Sequence, residues 1–205
     1  MTMVDSRGSV RVDGACTAAG ARTTTTTAHL GPVGHSRTAT DSMVERAGAF
    51  AAARQADGAP MRARPARPAT GVAVLACMDA RLDVHALLGL AEGDAHVLRN
   101  AGGVVTDDVI RSLAVSQHEL GTTEIILLHH TQCGMMTITD DGFRDKLFEH
   151  AGFRPAWPVH TFANLEASVR ASISRLRSDP FLVTSGSVRG FIYDVASGTL
   201  HEVVE

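Results

Sequence analysis

From Gly71 onward the chain alternates between short continuous apolar runs and longer stretches whose apolar residues recur at helical spacing. Val72 to Ala76 is an apolar run of the buried, parallel-strand kind, followed by a helical stretch over Leu82 to Leu90 that closes at Glu92-Gly93-Asp94. Ala95 to Leu98 reads as a second strand. Thr106 then caps a helix with Asp107 and Asp108 in its first turn, where acids suit the helix dipole; Ile110, Leu113, Ala114, Gln117 and Leu120 mark its inner face, and Gly121 ends it. Glu124 to Leu128 is a third strand, and Asp141 to His150 and Phe162 to Ser178 are helices, the latter with Leu165, Val169, Ile173 and Leu176 on one stripe. Val188 to Asp194 and Thr199 to Val204 form a closing hairpin that turns at Ser197-Gly198. Strands alternating with helices imply a mostly parallel sheet covered on both faces.

Before Gly71 the pattern changes. Asp41 or Thr40 is placed to cap a short helix over Ser42 to Arg54, with Met43, Ala47, Phe50 and Ala51 on one face. Pro60, Pro65 and Pro68 among Arg62, Arg64 and Arg67 then make Gly58 to Pro68 an extended linker. Upstream, a stretch rich in Ala, Thr, Gly and Arg, with five threonines from Thr23 to Thr27, has no periodicity and reads as a disordered tail or as one added by an upstream start codon. The expected division is a tail over 1–39 and a folded domain over 40–205.

Composition narrows the function classes. The chain has 205 residues, 44% hydrophobic, with a formal net charge of -3, which suits one globular domain and offers no electrostatic footprint for nucleic acid. No apolar stretch reaches the roughly 20 residues of a membrane helix. Eighteen arginines against the single Lys146 reflect GC-rich coding rather than a partner. Three cysteines, Cys16, Cys77 and Cys133, are too few for a disulfide scaffold; they point to a reducing, cytoplasmic compartment in which an important thiol binds metal or does chemistry.

Cys77 directly follows the first strand, and His129-His130-Thr131-Gln132-Cys133-Gly134 follows the third. Ligands of open α/β sheets bind beyond the carboxyl ends of strands where strand order reverses, so adjacent first and third strands would bring both thiols to one crevice. Two thiolates and an imidazole are ligands that zinc accepts, and three protein ligands leave the fourth tetrahedral position for water. His130, three residues before Cys133, is the candidate imidazole and His129 its competitor; the structural alternative is two inert buried thiols and a satisfied core histidine. Asp79 beside Arg81 should stay ionised, either to orient a zinc-bound water or as a helix-start ion pair. Arg99-Asn100-Ala101-Gly102-Gly103 is a turn whose glycines allow close backbone approach, a candidate anion site.

Cys77-x-Asp79-x-Arg81, Arg99-Asn100-Ala101-Gly102-Gly103 and His130-x-x-Cys133-Gly134-Met135, with His130 53 positions after Cys77, together resemble the β-class carbonic anhydrases. The likeness runs from about Thr40 to the C-terminus, and Gly190-Phe191-Ile192-Tyr193-Asp194 with Gly198 resembles that family's last strands. The resemblance implies an α/β fold with a mostly parallel central sheet of order 2-1-3-4 and a final antiparallel edge strand. It implies Zn2+ held by Cys77, His130 and Cys133, with Asp79 and Arg81 as the catalytic dyad. In that family the Asp either holds the zinc-bound solvent or, with the dyad broken, swings onto the metal, which makes Asp79 a conditional fourth ligand. Gly134 would offer its N–H to bicarbonate, and the cleft would lie at a homodimer interface, alone or within a higher homo-oligomer. Gln132 departs from the small Asp or Asn usual in the family at that position. The implied reaction is attack of zinc-bound hydroxide on carbon dioxide, giving bicarbonate. Two alternatives keep the fold: a carbon disulfide or carbonyl sulfide hydrolase, and a non-catalytic zinc or anion-binding module. Cys16 has no expected metal role.

Overall fold

The computed structural model of the protein describes residues 37–56, 65–183 and 187–204, in two units that divide between Ala59 and Pro60. The tail over 1–36 and the linker residues 57–64 lie outside the described residues. The first unit contributes one helix, α1 (Ala39–Ala56), none of whose residues is buried. It starts earlier than the expected Asp41 or Thr40 cap. The Thr38 hydroxyl accepts from the Asp41 N–H at 3.1 Å and the Asp41 carboxylate accepts from the Thr38 N–H at 2.8 Å, so Asp41 answers a cap at Thr38.

The second unit is built on five strands: β1 (Val72–Cys77), β2 (Ala95–Asn100), β3 (Glu124–His130), β4 (Val188–Tyr193) and β5 (Leu200–Val203). Their spatial order is β2-β1-β3-β4-β5. The first four run parallel and β5 pairs antiparallel with β4, as the sequence leads one to expect. The strands run further toward their carboxyl ends than the apolar runs do. Cys77 pairs with Asn100, and His129 and His130 pair with Ile192 and Tyr193, so Cys77 and the two histidines are strand residues and not, as expected, the first residues of loops. Backbone pairing is indifferent to side-chain polarity, so the ladder continues where hydropathy stops marking it.

Four helices accompany the sheet: α2 (Val84–Leu88), α3 (Asp107–His118), α4 (Asp140–Ala151) and α5 (Leu165–Ser178). Thr106 caps α3 as expected, accepting from the Val109 N–H at 3.3 Å. Helix α2 is shorter than the predicted stretch because Asp83 caps it at one end and Gly89, at φ 63°, closes it at the other. Helix α5 starts at Leu165 because the Asn164 side chain accepts from the Ala167 N–H at 2.9 Å, which leaves Phe162 outside the helix. Helix α4 carries no buried residue.

Period-two alternation sends β1 and β3 side chains to opposite faces. Ala73, Leu75, Ile125 and Leu127 pack with Val109, Leu113, Val169, Ile173 and Leu176 of α3 and α5. Val74, Ala76 and Leu128 pack on the other face with Leu82, Val84, Cys77, Cys133 and Met135. The sulfurs of the candidate site are thus part of the second core and inherit its rigidity. Helix α5 approaches β4 closely at Gly190, where a Cβ would lie 2.3 Å from Val169 Cγ1 and 3.0 Å from Ile173 Cδ1. Gly190→Ala is expected to destabilise the protein by about 1–3 kcal/mol through overpacking, measured as a lower urea midpoint with an unchanged slope.

Candidate metal centre

Parallel pairing of β1 with β3, in register from Val72↔Glu124 to Ala76↔Leu128, sets the ends of the two strands side by side. Cys77 ends β1, His130 ends β3, and Cys133 follows after a two-residue turn. The ligand atoms of these three buried residues lie within 4.8 Å of one another, and the two Sγ atoms are 3.9 Å apart. Among the described residues, His130 is the histidine the fold brings to the thiols.

Its tautomer follows from its partner. His130 Nδ1 lies 2.8 Å from the Thr131 carbonyl oxygen, which can only accept, so Nδ1 carries the proton and Nε2 keeps a lone pair. His130 Nε2 is buried with no hydrogen-bond partner. A buried nitrogen lone pair without a donor is costly unless a cation takes it. The thiols lead to the same conclusion. Burial opposes ionisation of Cys77, while the backbone N–H groups of Asp79 and Gly102 favour it. Burial pushes the Cys133 thiol up to about 11. Two thiolates this close repel, so ionising both takes a cation between them. Two soft sulfurs and an imidazole nitrogen fit zinc, with one tetrahedral position left over.

His129, the competing ligand, points elsewhere. Its Nε2 lies 3.1 Å from the Gly103 carbonyl and its ring tilts against Phe162 at 5.5 Å between centroids. Burial holds it neutral, with its pKa lowered to about 4. It anchors the 101–103 turn rather than joining the metal cluster.

Asp79 and Arg81 form a two-pronged ion pair, with Arg81 Nε 2.9 Å from Oδ1 and Nη2 2.8 Å from Oδ2. The Arg81 backbone N–H adds a third bond to Oδ1 at 2.9 Å. These donors hold the Asp79 carboxyl well below the usual carboxylate range. Asp79 is not a helix cap, since Asp83 fills that role; its Oδ2 lies 3.7 Å from His130 Nε2. Gly134 opens a short 3-10 turn over Gly134–Met136 directly after Cys133, with open space where a Cβ would stand.

Four supports were less legible from sequence. Arg99, expected as part of an anion-binding turn, donates from Nε to the Cys77 carbonyl at 2.9 Å and from Nη2 to the Asp79 carbonyl at 2.7 Å. It braces the chain between the ligand and the carboxylate. Asn100 closes the turn on itself through Val104, donating to its carbonyl at 2.8 Å and accepting from its N–H at 3.0 Å. Gly103, at φ 66°, presses so close to β1 that a Cβ would stand 2.8 Å from the Cys77 nitrogen. Gly103 therefore serves close packing against a ligand strand, whereas Gly102 lies against Met135 and Phe162. Gln132, at φ 56°, accepts from Arg81 through its backbone oxygen at 3.1 Å and its side-chain oxygen at 3.4 Å.

A mostly parallel α/β sheet that joins two cysteines and a histidine at the carboxyl ends of neighbouring strands defines a zinc-enzyme architecture. Residues 72–159 match the family described as carbonic anhydrase. Beta-carbonic anhydrase 1 of Mycobacterium tuberculosis (strain H37Rv) is 55% identical over 139 residues, spanning 68% of this chain and 85% of that protein. A carbon disulfide hydrolase of Acidianus sp. (strain A1-3) is 40% identical over 154 residues, spanning 63% of this chain and 75% of that protein. The crystal structure of carbonic anhydrase from Streptococcus mutans superposes with a TM-score of 0.75 at 40% identity, covering 83% of this chain and all of the other. The chain belongs to the β-carbonic anhydrase family, enzymes of the lyase class that take zinc as their metal. Among the described residues, no helix is long and apolar enough to cross a membrane.

The neutral His129 has a pH signature. Its folded pKa lies near 4, below the roughly 6.5 of an unfolded histidine, so the unfolded state binds the extra proton first as pH falls. Its contribution to stability is complete above about 6.5 and is lost as pH falls toward 4. Urea midpoints should therefore decline across that window, and His129→Gln should decline less steeply while starting lower.

Proposed function

We propose that the protein catalyses the reversible hydration of carbon dioxide to bicarbonate, with zinc held by Cys77, His130 and Cys133. The observation that carries the reading is the convergence of those three ligand atoms within 4.8 Å beside an ion-paired Asp79. Zinc bound there supplies a Lewis acid that makes a nucleophile of water near neutral pH, as the handling of water by other zinc enzymes illustrates. The protein's own groups do the rest. Asp79, kept ionised by Arg81, accepts a hydrogen bond from the attacking water and sets which lone pair faces the carbon. Arg81 spends its donors on Asp79 and Gln132, which fixes the carboxylate's orientation. The Gly134 N–H, following Cys133, donates to a bicarbonate oxygen, and the missing side chain there leaves room for it. The zinc domain comprises residues 40–205, with 1–39 as a tail. Two neighbouring thiols kept as ligands suit a reducing, cytoplasmic location.

A second substrate has a specific observation behind it, since the relatives include a carbon disulfide hydrolase at 40% identity. Carbon disulfide and carbon dioxide are both linear and electrophilic at carbon, so the same dyad would orient attack on either. A homodimer or higher oligomer is also part of the proposal: α1 buries none of its own residues and exposes Met43, Val44 and Phe50, a pattern expected of a helix that packs on another copy.

Purified protein should carry one zinc per chain and hydrate carbon dioxide in stopped-flow assays faster than it consumes carbon disulfide. Zinc-free protein, or faster turnover of carbon disulfide, overturns the reading. Cys77→Ser or Cys133→Ser should lose the metal, while Cys16→Ser keeps it. Asp79→Ala should lower kcat by about 100-fold or more with zinc retained. Two thiolates offset the charge of the ion, so the native rate should rise from neutral toward alkaline pH. Sedimentation of a shortened chain beginning at Gly71 should show a smaller species than the full chain does; an unchanged assembly refutes the role of α1.

A further inference from the structure

Asp79 stands between two partners. Its backbone is held, because Arg99 Nη2 donates to its carbonyl at 2.7 Å and the Leu82 N–H donates to the same oxygen at 3.0 Å. Its side chain is the part left to move, with Oδ2 2.8 Å from Arg81 Nη2 and 3.7 Å from His130 Nε2. Whether the carboxylate stays on the guanidinium or turns toward the metal ligands depends on where Arg81 is kept. Arg81 is about half exposed, and an exposed arginine pays conformational entropy to hold one geometry. Beyond Asp79, Arg81 bonds Gln132, donating to its backbone oxygen at 3.1 Å and to Oε1 at 3.4 Å. The left-handed backbone of Gln132, φ 56°, aims that carbonyl at the guanidinium, and the length of the side chain lets its amide reach the second Nη. A shorter Asp or Asn would not extend as far, and an Asp would also compete with Asp79 for the same charge.

We infer that Gln132 is a positioning residue that tethers Arg81 from the Cys133 side, and so keeps Asp79 off the metal and the fourth coordination position open. The inference rests on the zinc reading given above and adds to it the residue that biases Asp79. It requires no titration, since Gln132 is neutral and stays so. Removing its amide leaves Arg81 tethered by one bond fewer, which is worth about 1 kcal/mol, or about fivefold in the balance between the two positions of Asp79.

The test uses the full chain loaded with cobalt(II) in place of zinc, and follows thiocyanate binding through the visible cobalt spectrum. An open fourth position binds the anion and an Asp79-ligated one does not. Gln132→Leu removes the amide without adding charge, and is expected to weaken thiocyanate binding by up to about fivefold, the full factor being reached where the Asp79-ligated state predominates. Gln132→Gly removes the same amide while relieving the left-handed backbone. It should weaken thiocyanate to a similar extent although its thermal stability moves in the opposite direction. In an Asp79→Ala background, where nothing can swing onto the metal, both substitutions should leave thiocyanate affinity unchanged. The inference is overturned if neither variant alters thiocyanate affinity, if the loss tracks stability rather than the amide, or if the loss persists in Asp79→Ala. Failure of the native chain to bind cobalt with sulfur-to-metal charge-transfer bands defeats the zinc reading itself, and the tether with it. Normal cobalt binding with an unmoved thiocyanate affinity defeats only the tether.

Discussion

The pairing of β1 with β3 is the constraint on which everything else in this protein depends. The two strands are separated in sequence by a strand and two helices, yet their ladder runs from Val72↔Glu124 to Ala76↔Leu128 with both faces covered. A shift of this register by one residue would turn Cys77 and His130 to wrong faces and uncouple the site from the core. The side chains that hold the register, Leu75, Leu127, Val74 and Leu128, are fully buried. Each contributes about 1.5–3 kcal/mol of burial. The candidate metal ligands thus sit at the ends of the best-buried strands, and their mutual distance is set by the core rather than by the loops.

Around that fixed pair the chain spends arginines where backbone would otherwise be loose. Arg99 ties the Cys77 and Asp79 carbonyls together, and Arg81 ties Asp79 to the turn that carries Cys133. Both use the planar, many-donor guanidinium, which can bond a carbonyl and a carboxylate at once where a lysine would serve as a point charge. Gly103 lets the turn after β2 lie directly on β1, and the neutral His129 holds that turn by its carbonyl. The result is a Cys2His cluster beside one carboxylate that Arg81 holds through its guanidinium and its backbone N–H.

Kinship with both carbonic anhydrases and a carbon disulfide hydrolase agrees with this economy. In the proposed reaction, the ligands and the dyad would make a nucleophile and aim it at a linear, electrophilic carbon.

Much of this was legible along the chain. The apolar runs located β1, β3 and the faces of α3 and α5, and the spacing of Cys77, His130 and Cys133 with Asp79 and Arg81 identified the family, because these are local patterns of residue type and order. The carboxyl ends of the strands were not legible, since hydrogen-bonded pairing carries Cys77, His129 and His130 past the point where hydropathy ends. Nor were the partners of His129, Arg99 and Gln132. Each acts on a group distant in sequence, Gly103, Cys77 and Arg81 in turn, and only the closing of β1, β2 and β3 into one sheet brings them within bonding distance. The residues thus determined which chemistry was available, and the tertiary structure decided which histidine faces the thiols, which arginine braces the backbone and which carboxylate is ion-paired, because those choices rest on distances that no local pattern records.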